Sequence, residues 1–497
     1  MSATATLEPP AAPGLFLRVF PPIVLPVFLA VIDQTIVAAA LPSMARGLGG
    51  ARYISWVVVA YLIAATIAAP GYGRLGDLFG RRQMIVTALS LFAAASALCA
   101  LAPNLPVLIL GRALQGLGGG GLMTLSQALL AQGVPGRERG RYQGYLAGII
   151  VAGSAFGPVA GGLLTQGFGW RSVFLINLPL AALAALLILR LVPRPAAPEA
   201  ARGGSFDGFG MILLTATVAP LLMALEEAQH LSERNLALFV ALSAGTLAAG
   251  AALGMQQRRA RTPLLALHLL RDPSFWRADL MAACSGASLT TMVTFLPIYL
   301  QLVGGTSPAQ SGLLLIPLTV SVSSGSVITG WLASRTRRTA IWPACGLMIT
   351  VTAMLLLAGY AQMMGPWLLA MVLAAGGLCQ GSAMLVAQIT AQAVAGPAQL
   401  GAAAGSVQLC RALGSAFGVA LSGTVLFAVL HWMDPATARL FLALLRHGRG
   451  ALENLDPGAR MAALARIVTG FRFVFAAIAV FGAVIVAAAA TMPLRRM

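Results

Sequence analysis

Lysine is missing from this 497-residue chain, and charge of either sign is scarce: 9% of residues are charged while 59% are hydrophobic. Mean hydropathy is +0.87. So little charge cannot cover a soluble domain of this length, and the apolar excess must face lipid. The 32 basic residues are all arginine and stand against 14 acids, a net charge of +18. In a soluble chain that imbalance would suggest nucleic acid. Here the arginines fall in short segments between apolar runs, where they fix topology and meet anionic lipid head groups, so no nucleic-acid partner is expected. The five cysteines lie singly inside apolar runs and the four histidines are scattered. Neither a disulfide framework nor a metal site is expected from them. No phosphate-binding loop of the G-x-x-x-x-G-K type exists, so nothing supports ATP drive and no cofactor is expected. A membrane-embedded enzyme or sensor would need catalytic His, Asp or Cys clustered near one membrane face, and none is found. The residues through Pro13 carry Glu8 and no basic residue, unlike a cleaved signal peptide.

A span needs about 20 apolar residues, and about fourteen such runs can be counted. Six lie between residues 20 and 191, two at 208–224 and 236–255, and six between 280 and 490. The fold class expected is an all-α polytopic membrane protein, two six-helix bundles plus two inserted helices. The expected divisions are an N-terminal bundle over residues 1–192, a linker and inserted pair over 193–260, and a C-terminal bundle over 261–497. Within the last, the amphipathic segment at about 432–466 is expected to lie on the outer membrane face. The segments 74–82, 135–141, 190–206, 256–277 and 335–338 and the tail 495–496 are rich in arginine, whereas 102–106, 304–309 and 362–365 carry no charge. That alternation puts the arginine-rich segments and both termini in the cytoplasm.

The most distinctive stretch runs from Gly73 to Arg82 and reads as a short charged loop between two spans. Gly73 and Gly80 allow a tight backbone path. Arg74, Arg81 and Arg82 hold the loop on one side of the bilayer, and Asp77 is its one acid. A weak echo recurs at residues 330–338, with Ser334 in place of the acid. Internal repeats of this kind mark secondary transporters, whose halves rock around a central site.

Asp33 lies deep in the first run, where a carboxylate costs several kcal/mol unless protonated, paired or hydrated. It can exchange protons or pair with a cationic substrate; alternatively it locks two helices together. Arg112 is the lone charge of the fourth run, with Gln115 three residues on. It either tunes Asp33 or caps carbonyls. Gly153, Gly157, Pro158, Gly161 and Gly162 make one face of the fifth run small, which reads as a pliable seam against the other half or as ordinary helix packing. Glu226 and Glu227 end the seventh run, either drawing in cations and protons or simply solvating a helix end.

The G-x-L-x-D-x-x-G-R-R form of residues 73–82 resembles the signature between the second and third helices of the major facilitator superfamily. The stretch from Asp33 to Pro42 resembles the first span of its fourteen-span drug/proton antiporters, and the glycine-proline pattern at 153–162 resembles its antiporter motif. Further likenesses at residues 170–179, 301–317 and 401–418 extend the resemblance over nearly the whole chain. It implies the major facilitator fold and proton-coupled export of small hydrophobic or cationic compounds, with multidrug efflux and antibiotic resistance as the associated role. Asp33, Arg112, Gln115, Glu226 and Glu227 would couple protons to substrate. Gly73, Asp77, Gly80, Arg81, Arg82 and Arg411 would form an inner latch. The setting implied is a bacterial inner membrane, the partners protons, small molecules and lipids, and the resemblance admits a periplasmic adaptor. A proton-coupled uptake or metabolite transporter of the same fold is the alternative, and the fifth-span motif argues against it.

Overall fold

The computed structural model describes residues 15–48, 53–193, 206–228, 233–260, 262–306, 308–336, 341–360, 364–447 and 456–493. Its longer elements are all helices. The N-terminal group is α1 (Leu15–Leu48), α2 (Trp56–Phe79), α3 (Arg81–Ala100), α4 (Leu105–Gly133), α5 (Gly136–Phe168), α6 (Ser172–Leu175) and α7 (Asn177–Leu191). Two helices follow, α8 (Gly208–Ala228) and α9 (Glu233–Arg259). The C-terminal group is α10 (Pro273–Leu302), α11 (Pro308–Thr336), α12 (Ile341–Tyr360), α13 (Pro366–Ala395), α14 (Leu400–Met433), α15 (Pro435–His447) and α16 (Pro457–Ala490). Lipid offers backbone groups no partner, so a spanning segment must satisfy them within itself, as a helix does. Among the described residues, twelve helices are long and apolar enough to cross a membrane. α4 and α12 stand outside that set, and an expectation of about fourteen spans depends on counting both. α4 has 29 residues, about 43 Å of helix, but Arg112, Gln115 and the glycines at 118–121 dilute its apolar character. Those glycines let α2 and α3 close on it: a Cβ at Gly120 would stand 2.3 Å from the Ala65 carbonyl oxygen.

α4 lies against α1, α2 and α3, while α1 also packs on α5 and α7. In the C-terminal group α10 packs on α13, α14 and α16, α11 on α13, and α12 on α13 and α16. The groups meet where α2 crosses α14 and where α5 crosses α11. α8 and α9 pair with each other, and α8 reaches α2 and α14 through a core of Leu214, Val218, Ile67 and Leu409. Only 6% of the most apolar stretch of α9 is buried inside the protein, so the rest of that stretch faces lipid.

Three expectations from the sequence change. Residues 73–82 are not a loop. α2 continues through Phe79 and α3 starts at Arg81, with only Gly80 between them, at φ 93° and ψ 128°. One residue in that conformation reverses the chain, which is why it is glycine. Asp77 and Arg81 pair across the break at 2.7 Å. α10 begins at Pro273, a full two turns before the apolar run, because the Asp272 carboxylate caps the Ser274 N–H at 2.7 Å. Asp279 is thereby drawn into the helix. Finally, α15 rests on protein through its apolar side. Ala438, Phe441 and Leu444 are buried, and Phe441 meets Phe427 and Phe471 edge to face at 5.5 and 6.1 Å. α15 therefore docks on the ends of α14 and α16, with Arg466 held by the carboxylate of Asp434. Arg439 points outward from that helix, and Leu445, Arg446 and Arg449 fall outside the described side chains.

Candidate functional site

Asp33 sits fully buried in the N-terminal group, bonded by residues from α4 and α7. Its Oδ2 accepts from the Arg112 guanidinium at 2.6 Å. Its Oδ1 accepts from the side-chain amides of Gln115 and Asn177, at 2.9 and 2.8 Å. Arg112 also donates to the Gln115 side-chain oxygen at 2.6 Å and to the Val57 carbonyl at 3.0 Å, and it stacks over Tyr61 at 4.3 Å. Ser96 accepts from Gln115 at 2.7 Å. The structure thus gathers Asp33, Arg112 and Gln115 into one network and adds Ser96 and Tyr61, which sequence reasoning passed over, and Asn177, which it met only within the 170–179 likeness. A lone Asn and a lone Ser inside apolar runs were the available signal. A buried carboxylate held by one cation and two amides has its charge fully answered, so breaking one partner costs about 3–5 kcal/mol.

The next two residues of α1 face elsewhere, because successive positions on a helix are about 100° apart. Gln34 lines a cavity of about 470 Å³ between the two helix groups. Thr35 packs against α5, its hydroxyl 3.4 Å from the Gly153 carbonyl. One segment of α1 therefore touches the charge network, the cavity and α5.

Helices α2, α4, α8, α10 and α14 supply the other cavity walls, with Met123, Thr290, Gln408 and Ser415 among them. Among the described residues, its one lining acid is Glu226 and its one lining base is Arg411. Glu227 does not line it. A volume of this size suits a drug-sized molecule.

Asp77 closes the arginine-rich end of the molecule. Its carboxylate accepts from the backbone N–H groups of Gly401 and Ala402 at 3.0 and 2.9 Å. These are first-turn amides of α14 with no helical partner, and the dipole of that helix favours a negative charge there. Arg81 spans the same gap, donating to Asp77, to Gln132 at 2.9 Å and to the Pro397 carbonyl at 3.3 Å. Gly73 and Gly401 touch backbone to backbone: a Cβ on Gly401 would stand 2.2 Å from the Gly73 oxygen. Arg82 instead ties α3 to α7 through the Leu189 carbonyl at 2.8 Å. Arg411 lies about 15 Å along α14 from this latch and belongs to the cavity.

The fifth-run seam also changes partner. Gly153, Gly157 and Gly161 recur every fourth residue and face Val31, Thr35 and Ile36 of α1, inside the same helix group. Nothing lies within 4 Å of a Cβ built on Gly162, and Pro158 is exposed. Contact with the other group falls to Gly140 and Gly144, roughly 140° round the helix from the motif glycines, against Gly330 and Val327 of α11. A second buried carboxylate, Asp279, accepts from the Ser406 hydroxyl at 2.6 Å, while its other oxygen has no partner among the described residues.

Two groups of packed helices enclose a cavity, and Asp77 and Arg81 bridge them at one end. The chain belongs to the Major Facilitator Superfamily, whose family model matches residues 23–419. A protein of Mycobacterium tuberculosis (strain ATCC 25618 / H37Rv) named only as an MFS-type transporter is 32% identical over 407 residues, 82% of this chain and 59% of that one. The chain thus spans under two thirds of that relative's length. The multidrug transporter protein MdtP of Bacillus subtilis (strain 168) is 29% identical over 455 residues, 87% of this chain and 82% of that one. The proton:xylose symporter XylE shares the fold, with a TM-score of 0.62 at 15% identity over 95% of both chains.

Proposed function

We propose that the protein exports small hydrophobic organic molecules in exchange for protons, from a bacterial-type inner membrane. The observation that carries this reading is the arrangement at 33–35 of α1, where the buried network, the cavity and the α5 contact meet on consecutive residues. A proton on Asp33 would weaken its hold on Arg112, Gln115 and Asn177. α1 would then shift, moving Gln34 in the cavity and Thr35 against the glycine face of α5. The Asp77 strap would release as the halves rock, and the cycle would reset when Asp33 lost its proton to the cytoplasm. Relatives named as multidrug and efflux transporters support the export direction. Counting α4 and α12 as spans gives the fourteen helices of the drug/proton antiporter type, with both termini inside. A cationic substrate would find Glu226 as its acidic partner, because Asp33 is already committed to Arg112.

The test is uphill transport of aryl amphiphiles in proteoliposomes under an imposed pH gradient, wild type beside Asp33→Asn. The expected result is gradient-driven accumulation by the wild type and its loss in the variant, with downhill exchange retained. Equal accumulation by both would overturn Asp33 as the proton site. Accumulation that ignored the pH gradient would overturn proton coupling altogether.

A further inference from the structure

Arg411 brings a full positive charge to the wall of the central cavity, and no carboxylate among the described residues answers it. Its Nε donates to the Gln408 side-chain oxygen at 2.9 Å. Among the described residues the ion pairs are Arg81 with Asp77, Arg112 with Asp33 and Arg466 with Asp434, so no carboxylate pairs with Arg411. The nearby acids are engaged or out of range. Asp33 is saturated by three donors. Asp279, on α10, is turned to Ser406, more than a turn away along α14. Glu226 shares the cavity from α8 but makes no ion pair with it. The other polar side chains of the described lining are neutral: Gln34, Thr66, Thr294, Gln408, and Thr290, whose hydroxyl bonds Ser415 at 3.0 Å.

A guanidinium away from bulk water carries a large desolvation cost unless an anion faces it. Its remaining donors form a planar fork that matches a carboxylate or sulfonate in two parallel hydrogen bonds. Apolar wall surrounds it, with Leu62, Ile63, Met123 and Val419 in the same lining. Such a wall suits an aromatic or aliphatic body, and the flexible Met side chain adapts to varied shapes.

From this we infer that the cavity selects amphipathic organic anions, an apolar body ending in a carboxylate or sulfonate, and that Arg411 is the residue that holds the acidic group. Glu226, contributed by the inserted helix α8, acts as the counter-charge that sets where the anion can sit and lowers its affinity. The inference rests on the export reading only in taking this cavity as the transport site.

The test uses two probes with one ring system and opposite charge, naphthalene sulfonate and naphthyl trimethylammonium. Binding of each to the full-length protein in neutral phosphatidylcholine nanodiscs would be measured by calorimetry. The wild type is expected to bind the sulfonate at least tenfold more tightly than the ammonium. Arg411→Gln is expected to erase that preference, Arg411→Lys to keep part of it, and Glu226→Gln to tighten the sulfonate several-fold. Preference for the ammonium in the wild type would overturn the inference. So would unchanged sulfonate affinity in Arg411→Gln. Should Arg411→Gln fail to fold, a sulfonate affinity left unmoved or weakened by Glu226→Gln would also overturn it. Proton release on binding separates this idea from the export reading. Ammonium preferred, with release abolished by Asp33→Asn, leaves proton-coupled export standing and removes the anion site. Sulfonate preferred, with no proton moved by any variant, does the reverse.

Discussion

The two places where the helix groups cross at the arginine-rich end are built alike and held differently. At one, Gly73 of α2 meets Gly401 of α14; at the other, Gly140 of α5 meets Gly330 of α11. Gly330 opens the sequence echo of the stretch that Gly73 opens, so the repeat places a glycine at each crossing. The first crossing is strapped by Asp77 and Arg81, which bond Gly401, Ala402 and Pro397 across the gap. At the second, the Ser323 hydroxyl donates to the Ala147 carbonyl at 3.1 Å, and no ion pair between described residues crosses it. The cause lies in where the partner helices begin. α14 starts at Leu400, so the amides of Gly401 and Ala402 are free for a carboxylate. α5 starts at Gly136, a turn before Gly140, so the Gly140 amide is spent inside its own helix. An acid in the repeat would find no such donors at the crossing glycine. We propose that the strapped crossing is the switch and the bare one a close steric pivot.

The largest effect should come from filling a crossing. Gly401→Val and Gly330→Val each drive side-chain atoms into backbone 2.2 and 2.0 Å from the Cβ position, and both should lower transport by about a hundredfold or more by blocking inner closure. Gly148→Ala, where nothing lies within 4 Å, is the control and should transport normally. Next comes the strap. Asp77→Asn removes charge-assisted bonds that contribute about 1.5–3 kcal/mol each, some of which the amide can remake. We expect roughly a tenfold fall in transport rate and a matching rise in labelling, from the inner side, of a cysteine introduced at the cavity wall by Ser415→Cys. Ser334→Asp sharpens the contrast: it should change the rate less than about twofold, because the Gly140 amide at that crossing is spent inside α5. A locked transporter from that variant would show that the helix start is not what distinguishes the crossings.

The smallest effect concerns a carboxylate cap that lies within the inserted pair and spans no gap. Burial would raise the Asp207 carboxyl, but the Gly210 N–H and the side-chain amides of Gln256 and Gln257 outweigh it and hold the group below the usual carboxylate range. Its folded value lies below its unfolded one, so its contribution is present above the unfolded value and is lost as pH falls through the folded one. Acidification through that window should lower the melting temperature by on the order of 1 °C through this group, and Asp207→Asn should flatten that part of the profile. A change in transport rate of the size seen for Asp77→Asn would contradict a purely stabilising role.

Most of the span pattern was legible in the sequence, because lipid forces long apolar runs and short charged joins. Gly73, Asp77 and Gly80 were legible as a motif, but not as helix, since one glycine at positive φ does the work expected of a whole loop. Asp33, Arg112 and Gln115 stood out as charges and amides in apolar runs, whereas Asn177 and Ser96 gave only the weaker signal of a lone polar residue, which does not say what it bonds. Asp279 was hidden because a capping Asp272 starts α10 upstream of its apolar run. The facing of the α5 glycines was out of reach, since a helical stripe does not say which neighbour it meets. Arg411 was misplaced by proximity in sequence: ten residues along a helix is about 15 Å.

The decisive measurement is the spread of distances across each crossing, from spin labels at Phe79 and Ala398 for the first and at Arg141 and Trp331 for the second. In Asp77→Asn the first pair should gain a long-distance population at least several-fold over the wild type, with the second pair following it. An unchanged first-pair distribution in that variant would contradict the strap as the element that holds the inner side closed.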